Sequence, residues 1–151
     1  GVSGLLSEGH PYDLVVASRD WHEPDSSNAG HFDDWPVHCV RGTSGAEYAP
    51  EFDLSHVDVH VRKGQGVPAY SAFEGVTDDG ETLVDALSRH GVREVDVCGI
   101  ATDHCVRASA LDAARAGFRV RLLAGLHAGV APETGRTALD EMRGAGVEVS
   151  S

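Results

Sequence analysis

Cys105 is the residue whose setting in the sequence best suits a nucleophile. It stands in Ile100-Ala101-Thr102-Asp103-His104-Cys105-Val106-Arg107, after the apolar run Val95-Asp96-Val97-Cys98-Gly99 and before the Ala-rich stretch Ala108 to Ala116. The run reads as a buried strand and the stretch as a helix, which puts a thiol in the first helical turn at the carboxyl end of a strand. There the helix dipole and free backbone N–H groups favour a thiolate and can receive a developing oxyanion. A lone cysteine at such a turn is commonly a small residue that fits, so the weight rests on its companions.

The first companion is Asp20-Trp21-His22, continued by His31 and by Trp35-Pro36-Val37-His38-Cys39. It follows another strand-like run, Leu14-Val15-Val16-Ala17-Ser18. If extended backbone continues past Ser18, Asp20 and His22 point the same way, because side chains alternate with period two. A carboxylate and three imidazoles suit a single divalent ion, with zinc first and iron or manganese as alternatives, water filling the open positions. The second companion is Arg62-Lys63-Gly64, after the strand-like Val57-Asp58-Val59-His60-Val61. A lysine ending a strand is ordinarily a solvated edge charge. Here all three chemical segments follow a strand, and open parallel α/β sheets bind ligands outside the carboxyl ends of their strands. One shared site is the simplest reading.

The elements that must hold this site repeat along the chain. Glu81 to His90 carries Leu83, Val84 and Leu87 on one face, stops at Gly91 and leads into strand Val95 to Gly99. The Ala108 to Ala116 helix stops at Gly117 before strand Arg119 to Leu123; a helix from Pro132 to about Arg143 ends at Gly144 or Gly146 before Val147-Glu148-Val149. Pro suits a helix start and Gly a helix end. Alternating strands and helices predict an α/β fold: a doubly wound three-layer sandwich around a mostly parallel sheet, in a single domain over residues 1–151. The stretch from Glu23 to Pro50 is too long and polar for a simple connection and holds two of the four candidate ligands, His31 and His38.

Composition narrows the partners. With 24 acidic against 12 basic residues the net charge is −12, and no basic stripe stands out, which argues against nucleic acid or an anionic membrane surface. No apolar run approaches a membrane span. Cys39, Cys98 and Cys105 are an odd set without framework spacing, which reads as a reducing, cytoplasmic setting. Cys98 reads as a small buried hydrophobe. Cys39, beside a proposed ligand, reads as structural, with a spare-ligand role as the alternative.

The order Asp20-Trp21-His22, His31-Phe32, Trp35-Pro36-Val37-His38-Cys39, Lys63-Gly64, Ala69-Tyr70-Ser71-Ala72-Phe73 and Gly99-Ile100-Ala101-Thr102-Asp103-His104-Cys105-Val106-Arg107 resembles the nicotinamidase/pyrazinamidase branch of the isochorismatase-like cysteine hydrolases. The likeness runs from about residue 14 to the C-terminus. It implies Cys105 as nucleophile and Lys63 as its charged partner. It implies Asp20, His22, His31 and His38 as metal ligands, with Trp35 and Tyr70 lining the substrate ring. Backbone N–H groups of Ala101 and Cys105 are implied as the oxyanion hole, with a cis bond before Ala101. The implied reaction is hydrolysis of nicotinamide to nicotinate and ammonia, with pyrazinamide as a further substrate; a homo-oligomer stays open. Related alternatives are another amide, an N-carbamoyl substrate, or a metal-binding protein without activity.

One part of the pattern is absent. The family carries its catalytic aspartate in a D-x-Q-x-D-F string on the first strand, and that string occurs nowhere in this sequence. The expectation is an N-terminally incomplete chain, with Gly1 to Leu6 matching the helix after that strand. The first strand belongs mid-sheet, so its absence should divide the core and leave strand edges unpaired. His104 is weighed as an alternative base and set aside, because adjacent helical residues diverge by about 100°.

Overall fold

The alternation of strand and helix read above is realised in the computed structural model, which describes residues 1–150. In chain order the elements are α1 (Val2–Leu5), β1 (Val16–Asp20), α2 (His31–Asp34), β2 (Val59–Lys63), β3 (Val76–Thr77), α3 (Leu83–Arg89), β4 (Glu94–Ile100), α4 (Arg107–Arg115), β5 (Arg119–Ala128), α5 (Pro132–Gly144) and β6 (Glu148–Val149). Local chemistry sets several ends. The Thr82 side chain accepts from the Asp85 N–H and caps α3, and Pro132 occupies the first turn of α5. Short β3, antiparallel to β2, had no signal beyond a Val-Thr pair.

β1 and β2 pair in parallel, with Asp20 opposite Lys63. Partners in a parallel ladder project to the same face, so this register alone sets an acid beside a base at the carboxyl ends of both strands. β4, β5 and β6 are likewise parallel, with an irregularity between Val97 and Gly99 where Gly99 takes φ +117°. The irregularity lies just before the turn that carries Cys105.

The sheet is divided, β3-β2-β1 and β4-β5-β6 forming separate three-stranded sheets. The outer strands of the two halves line one largely apolar cavity, with Val16 and Ser18 from β1 and Val95, Val97 and Cys98 from β4. Two buried clusters correspond to the halves. Leu111, Val120, Leu122, Ala138 and Met142 form one beneath α4 and α5; Val61, Ala72, Leu83 and Leu87 form the other. Phe73 and Phe118, with ring centroids 6.3 Å apart, pack against both. The Tyr12 hydroxyl donates to Asp96 Oδ2 at 2.9 Å and ties the segment before β1 to β4. Burial and that carboxylate together push the Tyr12 phenol up to about 12. Among the described residues, no helix is long and apolar enough to cross a membrane.

Candidate active site

Asp20, Lys63 and Cys105 meet where the two halves of the sheet approach each other. The Lys63 ammonium donates to Asp20 Oδ1 and, at 3.3 Å, to Cys105 Sγ. The lysine is only 4% exposed, so it is no solvated edge charge. Burial by itself pulls its pKa down. The Asp20 carboxylate and the Cys105 sulfur outweigh that and hold the ammonium above its ordinary range.

Cys105 behaves differently from the expectation of a thiolate favoured by the helix start. Burial pushes its thiol up, and Asp20 adds to that; Lys63 and the Ala101 N–H oppose it without reversing it. Deprotonation therefore has to be driven by a base and by the charge developing in the reaction. The residue sits in a π-helical turn, Thr102–Val106, that runs straight into α4. Such turns occur frequently at functional sites. The Ile100–Ala101 bond is cis.

The histidines of the long loop gather around the other oxygen of Asp20. Rings of His22, His31 and His38 lie with centroids 4.5, 5.0 and 5.1 Å apart. Asp20 Oδ2 is 3.9 Å from both His22 Nε2 and His38 Nε2. His22 Nδ1 meets the Gly64 carbonyl at 2.8 Å and His38 Nδ1 meets that of Pro36 at 2.6 Å. A carbonyl only accepts, so each Nδ1 carries the proton and each Nε2 presents a lone pair to the cluster. His22 Nε2 is buried with no hydrogen-bond partner. An orphaned buried acceptor is costly unless something occupies it. Burial, with His22 and His38 close by, holds His31 below the usual imidazole range and therefore in the neutral form that binds metals. Donor atoms of the three rings lie within 4.8 Å of one another, against about 3.4 Å between nitrogens bound tetrahedrally at about 2.1 Å. The donor set fits a divalent metal ion.

Two residues to which the sequence assigned no individual role hold this cluster. Gly64 takes φ +74°, and a Cβ there would lie 2.5 and 2.8 Å from ring atoms of His22. The lysine-glycine pair is thus half charge, half seat for a ligand. Asn28, fully buried, accepts from the N–H groups of Glu23 and Gly66 and donates to the carbonyls of Glu23 and Ser26. It ties the ligand loop to the turn after Lys63. Asn in a polar loop is too common for such a role to be read ahead of the fold. Trp21, between the two candidate ligands of the Asp-Trp-His string, lies between the guanidinium groups of Arg19 and Arg62, at 4.7 and 4.6 Å.

An aromatic group stands beside the histidine cluster. The Trp35 indole N–H donates to the Tyr70 hydroxyl at 2.8 Å, and His104 sits 4.9 Å from the Trp35 ring and 5.6 Å from that of Tyr70. His104 therefore belongs with the aromatic residues and not with a Cys–His pair. Asp103 turns the other way: its carboxylate accepts from the N–H groups of Val130 and Ala131 and from the Thr134 hydroxyl. Ala131 has no side chain to cap α5, and Asp103 supplies the cap across the fold. The sequence-predicted Asp20, His22, His31, His38, Lys63 and Cys105 all converge, with Trp35 and Tyr70 on their border. The cavity between the half-sheets touches Cys105 but none of the histidines, Trp35 or Tyr70.

Residues 7–151 match the Isochorismatase domain family. The chain belongs to the isochorismatase family. Its relatives within that family include nicotinamidases. It is 47% identical over 152 residues to the nicotinamidase/pyrazinamidase of Mycobacterium tuberculosis, covering 98% of this chain and 82% of the relative. It is 32% identical over 158 residues to the nicotinamidase of Escherichia coli, covering 89% of this chain and 73% of that one. Among solved structures of isochorismatase-like proteins, PnC1 from L. infantum in complex with nicotinate superposes with a TM-score of 0.88 at 34% identity, covering 100% of this chain and 77% of that one. The pyrazinamidase of Pyrococcus horikoshii in complex with zinc superposes at 0.78 with 40% identity, covering 91% and 75%. The fold is that of the isochorismatase-like three-layer sandwich.

Proposed function

We propose that this chain is a cysteine amidohydrolase that converts nicotinamide to nicotinate and ammonia. The observation that carries the reading is the position of Lys63, shared between Cys105 and Asp20. Through Asp20 the thiol and the histidine cluster form one electrostatic unit. The relatives named as nicotinamidases, and the neighbour solved with nicotinate, supply the substrate class.

In this reading the Cys105 sulfur attacks the carboxamide carbon and the C–N bond breaks, giving ammonia and a thioester that water then cleaves. Backbone N–H groups of Ala101 and Cys105 hold the oxyanion, at roughly 3–4 kcal/mol for each such donor. Lys63, kept cationic, stabilises negative charge as it builds on sulfur and oxygen. Trp35, Tyr70 and His104 offer flat surfaces to an aromatic ring. Asp20, His22, His31 and His38 would hold the metal ion, zinc before iron or manganese, which supplies a Lewis acid for the pyridine nitrogen. The thiol proton must pass to a base and on to the departing ammonia. Asp20 is committed to Lys63 and the histidines, so the reading assigns that part to the aspartate of the D-x-Q-x-D-F string, which these 151 residues do not contain. Pyrazinamide, a ring carboxamide of the same size, is the second substrate.

Release of ammonia and nicotinate from nicotinamide by the protein, and its loss in Cys105→Ala, tests the reading. Mass spectrometry of an acid-quenched reaction should find the nicotinoyl adduct on the Cys105 peptide. Undiminished turnover in Cys105→Ala would sink the proposal.

A further inference from the structure

Cys39 adopts a backbone conformation that a side chain rarely takes. Its φ is +48°, in the left-handed region that costs a non-glycine residue about 1–2 kcal/mol. Next to it, Val40 forms an isolated parallel bridge with His22. The His22 N–H donates to the Cys39 carbonyl at 2.9 Å, and the Arg41 N–H donates to the His22 carbonyl at 2.9 Å. In extended backbone, neighbouring side chains point to opposite faces. The left-handed turn at Cys39 interrupts that alternation, and His38 and Cys39 both reach the same carboxylate. Donor atoms of Asp20, His38 and Cys39 lie within 4.8 Å of one another.

Asp20 and His38 also border the imidazole cluster, where His22 Nε2 is buried and unpartnered. The centre thus holds two overlapping donor triads that share His38. One is all nitrogen: His22, His31 and His38. The other is mixed: Asp20, His38 and Cys39. Thiolate is a soft ligand that selects soft and borderline ions, whereas hard ions prefer oxygen and water.

We propose that Cys39 is a thiolate ligand of the metal centre, engaged by cobalt(II), zinc and cadmium and not by manganese. The inference rests on the metal-binding reading of the histidine cluster. Coordination breaks the Cys39 S–H bond and forms a sulfur–metal bond, with the proton released to solvent. The outcome is a site that ranks divalent ions by whether they recruit the sulfur. It gives a function to the left-handed turn at Cys39.

Cobalt(II) is the probe, added to the full chain carrying Cys105→Ser so that the nearby nucleophile cannot supply sulfur. The expected result is a near-ultraviolet sulfur-to-cobalt charge-transfer band alongside the visible bands of bound cobalt. Adding Cys39→Ser should erase the first and keep the second. Cys39→Gly, which suits φ +48°, should do the same in a chain whose backbone is relaxed, so misfolding is not the explanation. In competition, Cys39→Ser should lower cadmium affinity at least about tenfold and leave manganese affinity unchanged. Visible cobalt bands without the charge-transfer band, or a band that survives Cys39→Ser, would overturn the proposal while leaving the metal centre standing. Absence of any bound-cobalt spectrum would overturn the metal reading itself.

Discussion

Lys63 Nζ lies 3.3 Å from Cys105 Sγ although the two residues come from different halves of a divided sheet. Lys63 ends β2, and Cys105 sits in the turn between β4 and α4. The same ammonium also holds Asp20 through the β1–β2 register. A single buried cation therefore joins the thiol to the histidine cluster. Charge at the thiol and charge at the histidine cluster are coupled across that junction.

Lys63→Met removes the charge and little volume. Activity on nicotinamide should fall by two or more orders of magnitude, the scale on which a positioned charged group acts. Stability should fall as well, because a buried pair that loses one partner costs about 3–5 kcal/mol. Metal content, read by elemental analysis, should persist, since Asp20 and the histidines remain. A Lys63→Met protein with near-normal kcat would reduce Lys63 to a structural partner of Asp20.

Gly64→Ala should act on the candidate metal centre without replacing a ligand. The new Cβ would stand 2.5 Å from a His22 ring atom, on a backbone with φ +74°. His22 is wholly buried and has nowhere to turn. The expected outcome is a lower melting temperature and a metal content well below that of the parent. Retention of full metal occupancy would show that the ring can shift freely.

His22→Ala deletes the unpartnered Nε2 directly. Metal content should drop and the KM for nicotinamide should rise more than kcat falls, because in the proposed reading the lost group would hold and orient substrate through the ion. Chelation of the parent protein should mimic the variant, and zinc should restore the parent alone. Unchanged kinetics with full metal in His22→Ala would refute its place among the ligands.

Asp103 gives a prediction in pH. Burial would raise its pKa, but the Thr134 hydroxyl and the Val130 and Ala131 N–H groups outweigh that and lower it from 3.8 to about 2. A carboxylate depressed in the folded state stabilises above its unfolded pKa and loses that contribution as pH falls from about 4 through 2. Asp103→Asn should therefore cost on the order of 2 kcal/mol in urea unfolding at pH 6, and the gap from the parent should narrow towards pH 3. A gap of equal size at both pH values would mean that packing, not ionisation, holds the α5 cap.

Much of the molecule is written in local pattern. Short strand-like apolar runs gave β1, β2 and β4, an apolar helical face and an Ala-rich stretch, each ended by Gly, gave α3 and α4, and Pro132 marked α5, because strand and helix formation depend on neighbours a few residues apart. The chemical residues were legible for a related reason: Asp20-Trp21-His22, Trp35-Pro36-Val37-His38 and Thr102-Asp103-His104-Cys105 are unusual in type and follow strands. Tertiary structure decided what each one touches. Parallel register, not sequence spacing, sets Asp20 beside Lys63. Burial, which no string of letters states, raises the Cys105 thiol where its helical position alone favours a thiolate. Within one four-residue string, Asp103 turns to α5, His104 to the aromatic residues and Cys105 to Lys63. A π-helical turn fans these side chains outward, and only the elements packed around it determine which neighbour each one meets.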